Sequence, residues 1–160
     1  MMRWLNSKNK KMNIIKKIIY FFLRVSMGWL MFYAGITKIL DGKWSSKGYI
    51  AQAKVLPELY NWFLSPNILP SIDFLNKWGL TLIGASLIIG FLVRFSSPFG
   101  ALLMILYYLP ILNFPYVGNG KTSYIIDQHI IFAFVFIVFI IIDAGKYWGL
   151  DYYRAKAKLR

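Results

Sequence analysis

The sequence predicts an all-α integral membrane protein: a four-helix bundle with a long outer loop carrying short interfacial helices. Three observations predict it. Hydrophobic residues make up 58% of the 160-residue chain and mean hydropathy is +0.52, both above an ordinary soluble domain. The apolar residues gather into four runs, separated by Pro, Gly and charge. Cations concentrate at the two ends: Arg3, Lys8, Lys10, Lys11, Lys16 and Lys17, then Lys146, Arg154, Lys156, Lys158 and Arg160. Basic flanks of this kind are expected of cytoplasmic segments.

Residues 1–17 form a basic cytoplasmic segment whose first eleven residues, rich in Lys, Asn and Ser, support no fold; Met12 is an alternative start. The first span covers 18–40, long enough to cross a bilayer. It is longer than a signal-peptide core, and no small-residue cleavage site follows it. The connection 41–73 exceeds a turn and lies on the outer face. Its Trp44, Tyr49, Tyr60, Trp62 and Phe63 suit the headgroup layer, with short surface helices expected around 46–55 and 58–64. The second span is 74–93, with Lys77 near its start and Arg94 closing it. A tight link through Ser96, Ser97 and Pro98 leads to the third span, 98–114. Pro98 suits a first helical turn, and Pro110 kinks or shortens the far end. Residues 115–123, with Gly118, Asn119 and Gly120, read as a turn. The fourth span is 125–142. Residues 18–145 thus form the membrane domain and 146–160 a basic cytoplasmic tail, with both termini on the cytoplasmic side of the plasma membrane.

Composition also narrows the chemistry. The net charge of +13 sits at the ends of the chain, where it fits anionic lipid rather than nucleic acid. The absence of cysteine removes thiol relays, thiolate metal sites and iron–sulfur clusters. A single histidine cannot supply bis-histidine haem ligation, and no zinc ligand set is present. No nucleotide-binding glycine loop occurs. Redox work would need a diffusible cofactor, such as quinone, or a partner.

Candidate site residues begin with a stripe on the first span. Arg24, Gly28, Met31, Gly35 and Lys38 share one helix face, and a charge facing lipid is costly, so that face turns toward protein, water or ligand. Arg24 and Lys38 are separated by about 21 Å of helix rise and serve different sites. The alternation of spans places Lys38, Asp41, Lys77, Asp127 and His129 in one outer layer, with Tyr33, Trp78 and Asp73 near. His129 is the sole histidine, the residue type whose reference pKa lies near neutrality, and it suits the proton transfer that quinone chemistry needs. Asp127 and His129 are about 200° apart on a regular helix, so either the helix begins between them or they make different contacts. Asp127 either caps its helix or neutralises Lys38 across the bundle. Arg24 either pairs with Asp143 or reaches lipid phosphates. Gly79, Ser86 and Gly90 suit close helix approach. Tyr107, Tyr108 and Asn113 suit either a quinone ring or the membrane interface.

The runs RVSMGWLMFYAGITKI (residues 24–39), KWGLTLIGASLIIGFLVRF (77–95) and YIIDQHIIFAFVF with the following DAGKYWGLD (124–151) resemble the DoxX/DoxD-like family of small membrane proteins. The resemblance implies a four-helix membrane bundle and, by likeness to DoxD, a membrane subunit of a quinone-linked oxidoreductase that oxidises a small sulfur anion beside a second subunit. Carried over residue by residue, it marks Arg24, Gly28, Gly35 and Lys38, then Gly84, Gly90 and Arg94, then Asp127 and His129. Many relatives have Glu where this chain has Leu80, so a proton-handling role there would be lost or shifted to Asp127. The expected catalytic group is His129, Asp127 and Lys38, with Lys38, Tyr33, Lys77 and Trp78 around a quinone. Arg24, Gly28, Gly35, Gly84, Gly90 and Arg94 are the structural charge and packing set. Expected partners are the lipid bilayer, a second redox subunit and further copies of the chain; no metal is expected. The alternative is a non-catalytic accessory subunit that holds a partner or lipid through the aromatic outer loop. A small-solute transporter is a third, weaker alternative.

Overall fold

The structure, a computed structural model, describes residues 2–118 and 123–157, with side chains from residue 14 onward. The expected turn residues Asn119 and Gly120, the tail residues Lys158 and Arg160, and the side chains of Arg3, Lys8, Lys10 and Lys11 lie outside what it describes. Helices α1 (Met2–Leu40), α4 (Leu69–Ile89), α5 (Val93–Ile111) and α6 (Gln128–Ile142) run alternately up and down. Short helices α2 (Lys47–Ile50) and α3 (Pro57–Phe63) occupy the long connection, and α7 (Leu150–Ala157) follows a 3₁₀ turn at Ala144–Lys146. The end of the bundle bearing α2 and α3 is termed the loop end, and the end bearing α7 the tail end.

Helix α1 corrects the expectation that the first eleven residues support no fold. It is helical from Met2, because the segment contains no proline and no glycine before Gly28, and its Lys, Leu and Met residues favour helix. Residues Ile14–Leu40 and Leu69–Ile89 are each long and apolar enough to cross a membrane. The other two main helices are shorter or less apolar. All four expose large apolar side chains, among them Trp29, Leu82, Phe99 and Phe134.

The bundle is two tight pairs, α1 along α4 and α5 along α6. Glycines set the first seam. A Cβ on Gly35 would lie 2.5 Å from the Thr81 backbone nitrogen, and one on Gly84 2.2 Å from that of Phe32. Gly100 sets the second, against the fully buried Phe136 ring. Gly79 corrects the expected packing set, since a Cβ there would meet nothing within 4 Å. Met27, Met31, Leu80, Leu87, Met104 and Phe139 fill the space between the pairs.

Helix α5 starts five residues before Pro98, so Pro98 is internal and Arg94 sits in the first turn, exposed. The cause is remote in sequence. The Asp151 carboxylate accepts from Leu92 N–H at 3.0 Å and Val93 N–H at 3.2 Å, capping amides that have no intrahelical partner. At the other end of α5, Pro110 has no N–H to offer the Leu106 carbonyl. Tyr60 Oη donates to it instead, at 3.0 Å, and Tyr49 Oη donates to the Tyr107 carbonyl at 2.5 Å. These two hydroxyls dock the connection onto α5. Burial pushes the Tyr49 hydroxyl up and the Tyr60 hydroxyl up to about 12, so both remain donors. Within the expected turn at 115–123, the described residues 116–117 and 123 belong to a small antiparallel sheet, β1 (Leu112–Asn113), β2 (Tyr116–Val117) and β3 (Ser123–Tyr124), in that order.

Candidate functional site

A cavity of about 520 Å³ lies between the two helix pairs at the loop end, a size typical of small-molecule sites. Ser45, Ser46, Tyr49, Tyr60 and Gln128 contribute to its wall, and four further polar residues, one near an end of each main helix, meet there. Lys38 closes α1, Asn76 lies in the second turn of α4, Tyr107 near the end of α5 and His129 in the first turn of α6. Antiparallel alternation alone brings these four helix ends into one layer.

Lys38 Nζ donates to Asn76 Oδ1 at 3.0 Å and to Tyr107 Oη at 2.8 Å. Tyr107 Oη donates in turn to Asn76 Oδ1 at 2.6 Å, closing a triangle that fixes the orientation of the Asn76 amide. The ammonium also lies 4.7 Å from the Trp44 ring centre and 5.0 Å from that of Tyr107, distances at which an aromatic face attracts a cation. The expected Lys38–Asp127 pair is therefore corrected. Among the described residues no carboxylate stands within ion-pair distance of Lys38.

Asp127 is committed elsewhere. It is the N-cap of α6, and its Oδ1 accepts from His129 N–H at 3.0 Å and Ile130 N–H at 3.3 Å. Its Oδ2 lies 2.5 Å from His129 Nδ1. The helix thus begins between the two residues, and the angular conflict expected of a regular helix does not arise. A carboxylate on Nδ1 favours the tautomer with the proton there, which leaves Nε2 as the acceptor. The imidazole lines the cavity and its ring centre lies 5.7 Å from that of Tyr107. A proton acceptor and a cationic donor thus flank one aromatic side chain.

Three expected members are absent from the cavity wall. Tyr33 is exposed and stacks on Trp29. Trp78 is exposed beside Phe74. Lys77 is half-buried with its Nζ 5.6 Å from the Trp44 ring centre. The reason is periodicity: Tyr33 is five residues from Lys38, about 140° around the helix, and Trp78 is two from Asn76, about 200°. Asp73 instead accepts from Ser46 N–H at 2.8 Å and Ser46 Oγ at 2.6 Å, and Asp41 from Lys43 N–H. Asn76 does not stand out by residue type, Trp44 does so only as a headgroup-layer aromatic, and for Tyr107 the quinone-side alternative rather than the interface one places it on the cavity wall. A lone Asn within an apolar run was the available signal. Leu80, one turn below Asn76, is buried on the cavity wall.

The tail end holds the remaining candidates. Arg24 is fully buried against Gly90 and donates from Nη2 to the Tyr147 carbonyl at 3.4 Å. Its Nε and Nη1 have no hydrogen-bond partner among the described residues. The expected alternative of an Arg24–Asp143 pair is corrected, because Asp143 pairs with Lys146 at 2.6 Å. Among the described residues no carboxylate stands within ion-pair distance of Arg24. Gly90 has φ +73°, and its missing Cβ is the space that the guanidinium occupies. Neither Arg24 nor Gly90 lines the two cavities described, although the second, between α4 and α5, is lined by the adjoining Ile89, Phe91 and Leu92. Among the described residues no group of three or more His, Asp or Glu is placed to hold a metal ion. No protein-family model, curated protein or solved structure matches the chain.

Proposed function

We propose that this is a DoxX-like, four-span protein of the plasma membrane with both termini cytoplasmic, and that its cavity binds a quinone headgroup as the membrane subunit of a quinone-linked oxidoreductase. The observation that carries the proposal is the convergence of Lys38, Tyr107 and the Asp127-oriented His129 on one cavity. A quinone carbonyl needs a donor, which Lys38 supplies with its third N–H. A quinol hydroxyl needs an acceptor, which His129 Nε2 supplies. Asp127 is then a positioning residue that holds the imidazole and stabilises its charged form. The electron donor is a small oxidisable anion, handled with a second subunit.

The membrane reading is supported by large apolar side chains on the outward faces of all four helices, which in a soluble domain would form an unusually extensive exposed patch. Helix α6, with 15 residues, covers about 22 Å, so the bilayer thins locally around it.

Quinone extraction and native mass spectrometry on protein purified in mild detergent test the proposal. Wild type should retain quinone in stoichiometric amount, and His129→Ala, still folded, should lose it. Unchanged quinone content in His129→Ala would refute the proton-acceptor role. Protein that carries only phospholipid, or a partner chain, would favour the accessory-subunit function instead.

A further inference from the structure

The cavity is polar at one end only. Lys38, Asn76, Tyr107 and His129 line its loop end, whereas Leu30, Met31 and Leu103 line it deeper in the bundle. Leu30 lies eight residues before Lys38 on α1, about 12 Å of rise. A single ring placed at the polar end leaves that apolar compartment unfilled. Hydrocarbon fits it, since no polar group there would hold water in place.

The polar end has an electrostatic gap as well. Lys38 is a membrane-embedded cation that among the described residues has no carboxylate partner. Asn76 and Tyr107 supply dipoles, Trp44 and Tyr107 supply ring faces, and one ammonium hydrogen is uncommitted. The neighbouring carboxylates are all engaged: Asp127 with His129 and two backbone amides, Asp73 with Ser46, Asp41 with the Lys43 amide. A half-buried cation of this kind is stabilised most by a ligand that brings the missing negative charge.

We infer that the cavity takes a single-chain amphiphile headed by an ionised oxygen acid, with Lys38 as its counter-ion and the chain lying toward Leu30 and Leu103. Two sources carry that chemistry. A long-chain fatty acid arrives as the carboxylate. A prenylated quinol becomes the phenolate when its hydroxyl proton passes to His129 Nε2, the O–H bond breaking and an N–H bond forming. The inference uses the same cavity as the quinone proposal but does not depend on any redox step.

Equilibrium binding to lipid-stripped full-length protein in a neutral detergent separates these cases. The probes are dodecanoate, its methyl ester, butyrate, and a decyl-substituted quinone with its quinol. Dodecanoate should bind at least about tenfold more tightly than its ester, the margin of a charge-assisted over a neutral hydrogen bond, and more tightly than butyrate. The preference over the ester should vanish in Lys38→Gln and persist in Lys38→Arg. Equal binding of acid and ester by wild type would overturn the counter-ion role, and equal binding of dodecanoate and butyrate would overturn the chain compartment. Both comparisons use wild type and survive misfolding of a variant. Dodecanoate that binds as expected while quinone and quinol do not would remove the quinone proposal and leave this inference standing. Quinone binding with indifference to chain and charge would do the reverse.

Discussion

Gly84→Ala and Gly79→Ala, two equal changes on one helix, should move stability in opposite directions. A Cβ on Gly84 would stand 2.2 Å from the Phe32 nitrogen, 2.5 Å from Phe32 Cα and 2.7 Å from the Gly28 carbonyl oxygen, where ordinary contact begins at 3.4 Å. All three are backbone atoms, so no side chain can turn aside and α1 must move off α4 by roughly 1 Å. Overpacking of this kind costs about 1–3 kcal/mol. A gap of roughly 0.5–1 Å also forfeits about a quarter to a half of each dispersion contact along the seam, including those at Gly28 and Gly35. Against this stands a helix-propensity gain of at most about 1 kcal/mol, so Gly84→Ala should be destabilised by about 2 kcal/mol. Gly79 meets nothing within 4 Å and keeps only the propensity gain. At about 2–4 °C per kcal/mol for a chain of this size, Gly84→Ala should melt about 4–8 °C below wild type and Gly79→Ala at or slightly above it. The assay is thermal unfolding in mild detergent at fixed scan rate, read by tryptophan emission and by survival of the monodisperse peak. A Gly84→Ala protein as stable as wild type would refute the close α1–α4 seam.

Two further perturbations probe the contacts that hold the helix ends. Tyr60→Phe removes the hydroxyl that satisfies the Leu106 carbonyl and should cost about 1 kcal/mol; in a Pro110→Ala background, where residue 110 regains its own N–H, the cost should shrink, and a full cost there would refute the assignment. Because burial raises the Tyr60 hydroxyl to about 12, the folded state holds its proton longer than the unfolded chain does. The stability it contributes is complete below about pH 10 and is lost as pH rises to about 12, an alkaline loss that Tyr60→Phe should reduce. Asp151→Asn weakens the caps on Leu92 and Val93, for a loss of about 1.5–3 kcal/mol. Unaltered hydrogen-exchange protection at the start of α5 in Asp151→Asn would refute the capping role.

The helices were legible in the chain itself because their cause is local. Apolar runs, Gly90 and the prolines mark where α4, α5 and α6 lie, and the stripe from Arg24 to Lys38 identifies the side of α1 that meets α4. Asp127 as a cap followed from its place before an apolar run. Contacts between residues far apart were not legible. Pro98 resembles a helix start, yet Asp151, reaching from the tail to the amides of Leu92 and Val93, starts the helix earlier. Lys38 called for a carboxylate, and Asp127 was the nearest by layer; its oxygens were already taken by its own helix start and His129, so a carbonyl, a hydroxyl and two ring faces surround the ammonium instead. Tyr33 and Trp78 share the right depth with Lys38 but not the right angle. Depth is set by counting residues along one helix, which sequence determines. Which side chains meet across the bundle depends on the rotation and close approach of whole helices, and only the packing of Gly28, Gly35, Gly84 and Gly100 against their neighbours decided that.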